Sequence, residues 1–196
     1  YYQLKQLESA ASDYSLLIRT HSDAEHVPDA YYALGVTQES LKKNAQAEAT
    51  YSAFAKKYPR HVLVNEVRYR QGEMLFAQKK YSQAKTLFAN VSSVKGFKLA
   101  DTAMMRQARC LYEEGSYDDA AKLYWSIPRQ FEETKLYDAV VLAGAKCYYM
   151  QEKYSVARSG LELISNRDAP EAVEALHWLA RTWLKEDNTK KALAVV

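Results

Sequence analysis

The sequence has few of the residues that break regular structure. Among 196 residues there are only six Gly and four Pro, fewer than the many tight turns of a β-sandwich or β-barrel need. No apolar run approaches the roughly 18 residues that cross a membrane. Neither sign of charge dominates, since 27 Lys and Arg oppose 24 Asp and Glu, and a net charge of +3 does not by itself indicate nucleic acid. The composition therefore favours a globular chain made of helices.

Sequence motifs for catalysis are also missing. The chain has no phosphate-binding loop, no dinucleotide-binding glycine pattern and no Gly-x-Ser-x-Gly nucleophile turn. Its four histidines occupy unrelated positions and none forms a His-x-x-x-His pair, so a metal site is not expected. We therefore predict a protein that is not an enzyme and that uses no metal and no cofactor.

The sequence does contain a repeat of about 36 residues. In the segments 79–88, 115–124 and 152–161, a tyrosine is followed three residues later by Ala and four residues further on by a bulky apolar residue. This Ala recurs every 35 to 37 residues, and a Gly or Ala lies twelve residues before it; the two sets are Ala10, Ala47, Ala84, Ala120, Ala157 and Ala192, and Gly35, Gly72, Ala108, Ala145 and Ala180. Small residues at both positions predict two helices in close contact.

The pattern resembles the tetratricopeptide repeat, in which a helix A and a helix B pack against each other. Helix A of that family has a bulky residue followed by Leu and Gly, which residues 31–35 match. The turn into helix B has Gly-x-Tyr-x-x-Ala, which residues 115–120 match, and a later aromatic residue and Pro correspond to Tyr51 and Pro59. The resemblance implies an all-α fold, a right-handed superhelical solenoid of antiparallel helix pairs built from 36–37-residue repeats.

The resemblance covers essentially the whole chain, as a single array over residues 1–196. The predicted boundaries are a partial repeat at 1–27, full repeats at 28–64, 65–100, 101–137 and 138–172, and a truncated repeat at 173–196. Because both ends fall inside repeat-like sequence, we expect a fragment of a longer protein.

Two features differ from the usual family pattern. Gln71, Gln107 and Gly144 replace the usual Leu of helix A, and the repeat is slightly longer than the family's roughly 34 residues. Such longer repeats are similar to those of bacterial envelope proteins of the outer-membrane-lipoprotein type. This resemblance implies a periplasmic or outer-membrane-associated protein rather than a cytoplasmic one.

Family resemblance also implies that the A helices line the inner, concave surface. Aligned on the small residue, the positions three before, one after and four after it are expected to face this groove. The residues so predicted to bind a partner are Tyr32, Tyr69, Phe76, Met105, Arg109, Tyr112, Lys146, Tyr149, His177 and Arg181. Leu142 falls in the same register, and towards the N-terminus the face becomes acidic at Asp29, Glu39, Glu66 and Glu73.

This mixture of rings and cations favours a scaffold that binds a partner protein or an extended or helical peptide, because aromatic residues and Arg dominate binding hot spots. Alternatively, the rings pack against the next repeat and the charges form a solvated face. Two other functions stay open. One is a structural spacer within a larger bacterial envelope or secretion assembly, and the other is a groove for a glycan or a nucleic acid, the latter disfavoured by the small net charge.

Two cysteines, Cys110 and Cys147, occupy equivalent places in successive A helices. The axes of stacked helices lie about 8–10 Å apart, farther than the Cα separation of about 7 Å that a disulfide can span. We therefore predict two buried thiols.

Overall fold

The computed structural model describes residues 2–195, and all regular secondary structure in that range is helical. Tyr1 and Val196, the ends of the predicted first and last repeats, lie outside the described residues. Eleven helices follow one another over the described range: α1 (Tyr2–Thr20), α2 (Val27–Ser40), α3 (Asn44–Lys57), α4 (Val64–Ala77), α5 (Tyr81–Ser92), α6 (Ala100–Glu113), α7 (Tyr117–Gln130), α8 (Tyr137–Met150), α9 (Tyr154–Ser165), α10 (Glu171–Lys185) and α11 (Thr189–Ala194). The predicted all-α fold is confirmed.

The helices form two compact units. The first contains α1 to α5 and ends at Leu99, and the second contains α6 to α11 and begins at Ala100. Within each unit, every helix packs against the next one along the chain. We call α2, α4, α6, α8 and α10 the A helices, and α3, α5, α7, α9 and α11 the B helices. None of the helices in the described part of the chain is long and apolar enough to cross a membrane.

The recurring alanine has the same place in every B helix. Ala47, Ala84, Ala120 and Ala157 are each the fourth residue of their helix, and none has any exposed surface. Ala192 is the fourth residue of α11 and is 4% exposed. The predicted equivalence of these positions is therefore confirmed, and methyl-sized side chains there let the two helices of a pair approach closely.

The small residue of helix A faces a large ring of helix B. A Cβ atom added to Gly72 would lie 2.8 Å from Cε1 of Phe88, and one added to Gly35 would overlap the ring of Tyr51. Both rings are completely buried. Glycine at these two positions therefore provides the space that the aromatic ring of the partner helix occupies.

Gly144, which replaces the usual Leu, accommodates a ring from α7. A Cβ atom on Gly144 would lie 2.8 Å from Nε1 of Trp125, and one on Gly160 of α9 would lie 3.4 Å from Cζ2 of the same indole. Trp125 packs against both apolar clusters of the second unit, one built around Tyr124 and the other around Leu161. The departure from the family pattern at Gly144 is thus matched by a large side chain from the preceding helix.

Every turn from an A helix to its B helix contains one residue with a positive φ. The five residues are Lys42 (59°), Lys79 (60°), Gly115 (79°), Glu152 (60°) and Asp187 (57°). In each turn, the next residue donates its N–H to the carbonyl five residues earlier, at 2.9 to 3.0 Å. The positive-φ residue itself donates to the carbonyl three residues earlier, which completes a Schellman motif. Only one of the five turns uses the glycine that this conformation favours.

We expect Gly35→Ala to lower the free energy of unfolding. Overpacking a core costs about 1–3 kcal/mol, which exceeds the roughly 1 kcal/mol that Ala gains over Gly in a helix. Urea unfolding followed by circular dichroism measures the change. Ser40→Ala, at an exposed position of the same helix, is the matched control and should change stability by less than about 0.5 kcal/mol. Equal stability of Gly35→Ala and the wild type would contradict the predicted contact.

At the turns, Lys79→Gly should raise the free energy of unfolding by about 1 kcal/mol, because glycine removes the cost of a left-handed backbone. Gly115→Ala should lower it by a similar amount, since its Cβ would meet no atom within 4 Å and only the backbone is strained. Lys80→Gly is the control: its φ is −84°, so glycine there only adds freedom to the unfolded chain and should destabilise. Stabilisation by both Lys79→Gly and Lys80→Gly would rule out this explanation.

Candidate functional site

The ten predicted residues lie on A helices of both units. Those of the first unit form what we call the first-unit face: Tyr32 on α2, and Tyr69 and Phe76 on α4. Those of the second unit form the second-unit face: Met105, Arg109 and Tyr112 on α6, Lys146 and Tyr149 on α8, and His177 and Arg181 on α10. Spacings of three, four and seven residues place the members from one helix on one side of it.

Arg70 organises the first-unit face, although the sequence analysis did not select it. Its Nη1 donates to Oε2 of Glu39 at 3.1 Å, and its Nε donates to Oε1 of Glu66 at 3.3 Å. The hydroxyl of Tyr32 donates to Glu66 and that of Tyr51 donates to Glu39, each at 2.5 Å. One guanidinium and two carboxylates therefore link α2, α3 and α4.

Both phenols of this network stay protonated. Burial, followed by the hydrogen bond to Glu39, raises the pKa of Tyr51 far above its ordinary value. Burial and the hydrogen bond to Glu66 likewise raise the pKa of Tyr32. A neutral phenol beside a carboxylate acts as the donor. The polarity of these hydrogen bonds is therefore fixed around neutral pH.

A polar cavity of about 270 Å³ opens beside the network. Its walls include Tyr69, Arg70 and the carboxylates of Glu39, Glu66 and Glu73. Tyr69 lies at this cavity and also packs on Phe88, with ring centroids 5.6 Å apart. The acidic character predicted for the N-terminal part of the face is thus present, with one guanidinium among three carboxylates.

The three rings of the predicted aromatic row each pack against the first residue of the following B helix. The pairs are Phe76–Tyr81 and Tyr112–Tyr117, both with ring centroids 5.2 Å apart, and Tyr149–Tyr154 at 5.5 Å. These contacts lie within one repeat, whereas the alternative expected the rings to pack against the next repeat; among residues 2–195, only Tyr149 of the three makes such a ring contact, on Trp178 of α10. Tyr149 is buried, with 7% of its surface exposed, and Leu142 of the same face is buried at 4%. The expectation that Leu142 and Tyr149 are exposed on this face is therefore wrong, because both pack into one apolar cluster of the second unit.

Trp178 of α10 lies at the centre of the second-unit face and was also not selected from the sequence. The ring of Tyr149 meets it edge-on, with centroids 5.0 Å apart. The guanidinium of Arg181 lies 4.5 Å from the indole centroid and the ammonium of Lys146 lies 5.1 Å from it. The ring of His177 is 6.0 Å away. One indole therefore brings four of the predicted residues together.

The charges on this face are only partly compensated. Lys146 Nζ donates to Oε1 of Glu174 at 2.7 Å, and Nε1 of Trp178 donates to the same oxygen at 3.1 Å. The hydrogen bond from Lys146 is the main cause that holds the pKa of Glu174 below its ordinary value. Arg181 is exposed, and among residues 2–195 no carboxylate lies within ion-pair distance of it.

Arg109 and Tyr112 form a second, separate contact on α6. The guanidinium of Arg109 lies 5.1 Å from the centroid of the Tyr112 ring and pairs with Glu113 at 2.7 Å. Met105, one turn earlier, is half-buried and packs against the apolar cluster that contains Tyr124. Over residues 2–195, neither Arg109 nor Tyr112 makes a ring or ion-pair contact with Trp178.

The two residues that the sequence analysis missed share one position of the repeat. Arg70 and Trp178 each lie two residues before the small residue of their A helix. The other residues in this register are Ala33, Arg106 and Ala143. A position that holds Ala in two repeats and a very large polar-tipped side chain in three is a signal that could have identified both.

Cys110 and Cys147 are buried thiols, as predicted. Burial raises the pKa of Cys147 to about 12, so little of the nucleophilic thiolate exists at neutral pH. Within the described range, no three side chains of His, Cys, Asp or Glu are grouped so that they could hold a metal ion.

Removing the ammonium of Lys146 should raise the pKa of Glu174. A lowered folded-state pKa stabilises the protein above the unfolded-state pKa, and this stabilisation is lost as the pH falls through the folded-state pKa. The stability difference between wild type and Lys146→Met should therefore shrink in acid. Carboxyl NMR titration measures the pKa. In the control Lys122→Met, the pKa of Asp118 should rise, because Lys122 lowers it, while that of Glu174 should not move. An unchanged Glu174 titration in Lys146→Met would contradict the contact.

Comparison with known proteins places these features in one family. Two family models, both for the tetratricopeptide repeat, match residues 29–61 and 69–131. No curated protein matches the sequence. Among solved structures, a tetratricopeptide repeat protein from Parabacteroides merdae ATCC 43184 is 12% identical with a TM-score of 0.77, covering 100% of this chain and 73% of that one.

Two further solved structures have the same fold. MamA from Desulfovibrio magneticus RS-1 is 15% identical with a TM-score of 0.72, covering 86% of this chain and 90% of that one. YrrB, a tetratricopeptide repeat protein with an unusual peptide-binding site, is 16% identical with a TM-score of 0.66, covering 94% of this chain and 89% of that one. The repeated helix pairs, their small-residue contacts and these matches agree: residues 29–61 and 69–131 contain tetratricopeptide repeats, and the chain has the fold of tetratricopeptide repeat proteins.

Proposed function

We propose that the chain is a non-enzymatic scaffold that binds a segment of a partner protein, extended or helical, along its A helices. Repeated helix pairs support this proposal because they present side chains from successive A helices in a row, which suits a long ligand. YrrB, whose fold is similar, has a peptide-binding site. A catalytic role would need a reactive site, and function belongs to sites rather than to folds.

The observation that carries the proposal is Arg181 stacked on Trp178. The ring holds the planar guanidinium at 4.5 Å from its centroid, and the buried Tyr149 supports the ring from its edge. A guanidinium held in this way loses little entropy when its N–H donors meet a carboxylate or a main-chain carbonyl. His177, also exposed, lies next to it and adds a second polar group that a peptide can reach.

The remaining predicted residues provide further contacts in our proposal, each within its own unit. Arg109 and Tyr112 offer a half-buried cation and ring on α6, next to Met105. On the first-unit face, Tyr32, Tyr69 and Phe76 contribute apolar area. The hydroxyl of Tyr32 and the rings of Tyr69 and Phe76 already have partners within the unit, so we assign these residues shape rather than directional hydrogen bonds.

Two alternatives remain in competition with a peptide scaffold. A spacer within a bacterial envelope or secretion assembly would need no exposed binding residue, and the exposed Arg181 argues against it. A glycan or a nucleic acid would stack on free rings, whereas Arg181 and Lys146 already lie against the indole of Trp178. We extend the proposal to a place in the bacterial envelope only because the repeats resemble in length those of bacterial envelope proteins.

The test begins with a displayed library of random peptides selected on the purified protein. We expect an enriched peptide that binds saturably, and we expect Arg181→Glu and Trp178→Ala to weaken it by about tenfold or more, as for hot-spot residues. Fluorescence anisotropy of the labelled peptide measures the dissociation constants. Arg129→Glu is the control with the same change of charge, because Arg129 is an exposed residue of the B helix α7.

The outcomes separate the candidates. Equal weakening by Arg181→Glu and Arg129→Glu would show a general charge effect and reject the second-unit face. Absence of any saturable peptide would favour the spacer. Binding of single-stranded RNA that falls steeply with salt and is lost in Arg181→Glu would favour a nucleic acid.

A further inference from the structure

A second candidate surface lies on the first unit, where the two connectors that follow α3 and α5 meet. A pocket of about 560 Å³ opens there. We call it the connector pocket; its apolar walls are Val62, Leu63, Val94, Phe97 and Leu99, and Lys95 and Lys98 also line it. This volume is enough for one or two large side chains. Except for Leu99 and Glu66, its lining differs from that of the polar cavity beside Arg70.

The residues on either side of Val62 keep its side chain exposed to solvent. It is 87% exposed, the highest value among the exposed large apolar side chains. Before it, the ring of His61 packs edge-on against Phe54, with centroids 5.4 Å apart. After it, the N–H of Leu63 donates to Nδ1 of His61 at 3.2 Å. The backbone at Val62 is therefore fixed on both sides, and this side chain stays outside the core for a structural reason.

The opposite wall is equally ordered. The N–H of Phe97 donates to the carbonyl of Val94 at 3.1 Å, and Gly96 between them has a φ of +80°. A glycine turn of this kind brings Phe97 back to the pocket as a half-buried ring. Since both walls are fixed before any ligand arrives, little ordering cost opposes binding.

Positive charge surrounds the apolar floor. Lys95 and Lys98 are both exposed, and no carboxylate within residues 2–195 lies within ion-pair distance of either ammonium. The one carboxylate at the pocket, Glu66, accepts hydrogen bonds from Arg70 and Tyr32. The uncompensated charge exposed to solvent at the pocket is therefore that of Lys95 and Lys98.

The equivalent connectors elsewhere in the chain have a different character. The connector before α2 carries Asp23 and Glu25, and the one before α8 carries Glu132 and Glu133. The connector before α8 also carries Lys135, but only the two connectors of the pocket, residues 58–63 and 93–99, contain no Asp or Glu. Exposed apolar side chains grouped inside a charged rim mark an interaction surface rather than an ordinary turn.

We propose that the connector pocket binds an acidic peptide segment of a partner protein, with one bulky apolar side chain inserted between Val62 and Phe97. The carboxylates beside that side chain pair with Lys95 and Lys98. This site is independent of the A helix faces, because none of these four residues belongs to them. It adds to the scaffold a second point of attachment, which lies entirely within the first unit.

The probes are short fluorescein-labelled peptides with a central Leu, Phe or Trp between Asp and Glu residues. Matched peptides carry Ala in place of the central residue, or Lys in place of the acidic ones. We expect saturable anisotropy changes with the acidic, anchored peptides only. Val62→Asp and the double variant Lys95→Glu with Lys98→Glu should each weaken binding about tenfold or more. High salt should weaken binding as well, because the charge contacts are exposed.

These substitutions fall on exposed side chains, so the fold should survive, and circular dichroism checks this. Val173→Asp is the matched control, since Val173 is 77% exposed on the second unit; it should bind like the wild type. Arg181→Glu should also leave this binding unchanged, which separates the connector pocket from the proposed second-unit face. Equal binding by wild type and Val62→Asp, or no saturable binding by any anchored acidic peptide, overturns the proposal. Sedimentation with phosphatidylglycerol vesicles that is lost in the lysine variant, without peptide binding, would assign the surface to a membrane instead.

Discussion

The fit between a glycine on helix A and a large ring on helix B determines how closely the helix pairs of the first unit pack. At Gly35 and Gly72 a single added carbon would collide with a ring that has no exposed surface and nowhere to move. The close approach in these pairs brings the recurring alanines Ala47 and Ala84 into full burial. It also fixes the direction of the A helix, and with it the side chains that each unit presents to solvent.

The hydrogen-bonded turns add to this constraint. Because five turns share one left-handed residue and the same pair of backbone hydrogen bonds, each B helix begins at the same point relative to its A helix. The aromatic pairs Phe76–Tyr81, Tyr112–Tyr117 and Tyr149–Tyr154 follow from this geometry, since they join the end of one helix to the start of the next. Aromatic side chains that the sequence pattern predicts to bind a partner are thus partly packed between the two helices of a pair.

Much of the fold could be predicted from the sequence, because burial follows the repeat period. The place of Ala47, Ala84, Ala120 and Ala157, the helix pairs and the buried Cys110 and Cys147 are all visible as residues recurring at fixed intervals. The faces could be predicted only in part, because the period does not show which neighbour covers a side chain. Tyr149 and Leu142 are buried by contacts within the second unit. Arg70 and Trp178 were missed because they lie in a register whose other members are Ala33, Arg106 and Ala143, so no one residue type recurs there.

The distribution of indoles has a practical consequence for spectroscopy. All three tryptophans of the chain, Trp125, Trp178 and Trp183, lie after Leu99, so the first unit contains none. Indole emission therefore reports on α6 to α11 alone, whereas the far-ultraviolet signal sums over every helix. A difference between the melting temperatures obtained from indole emission and from far-ultraviolet circular dichroism therefore shows how independently the two units unfold. Neither measurement needs a label or a truncated protein.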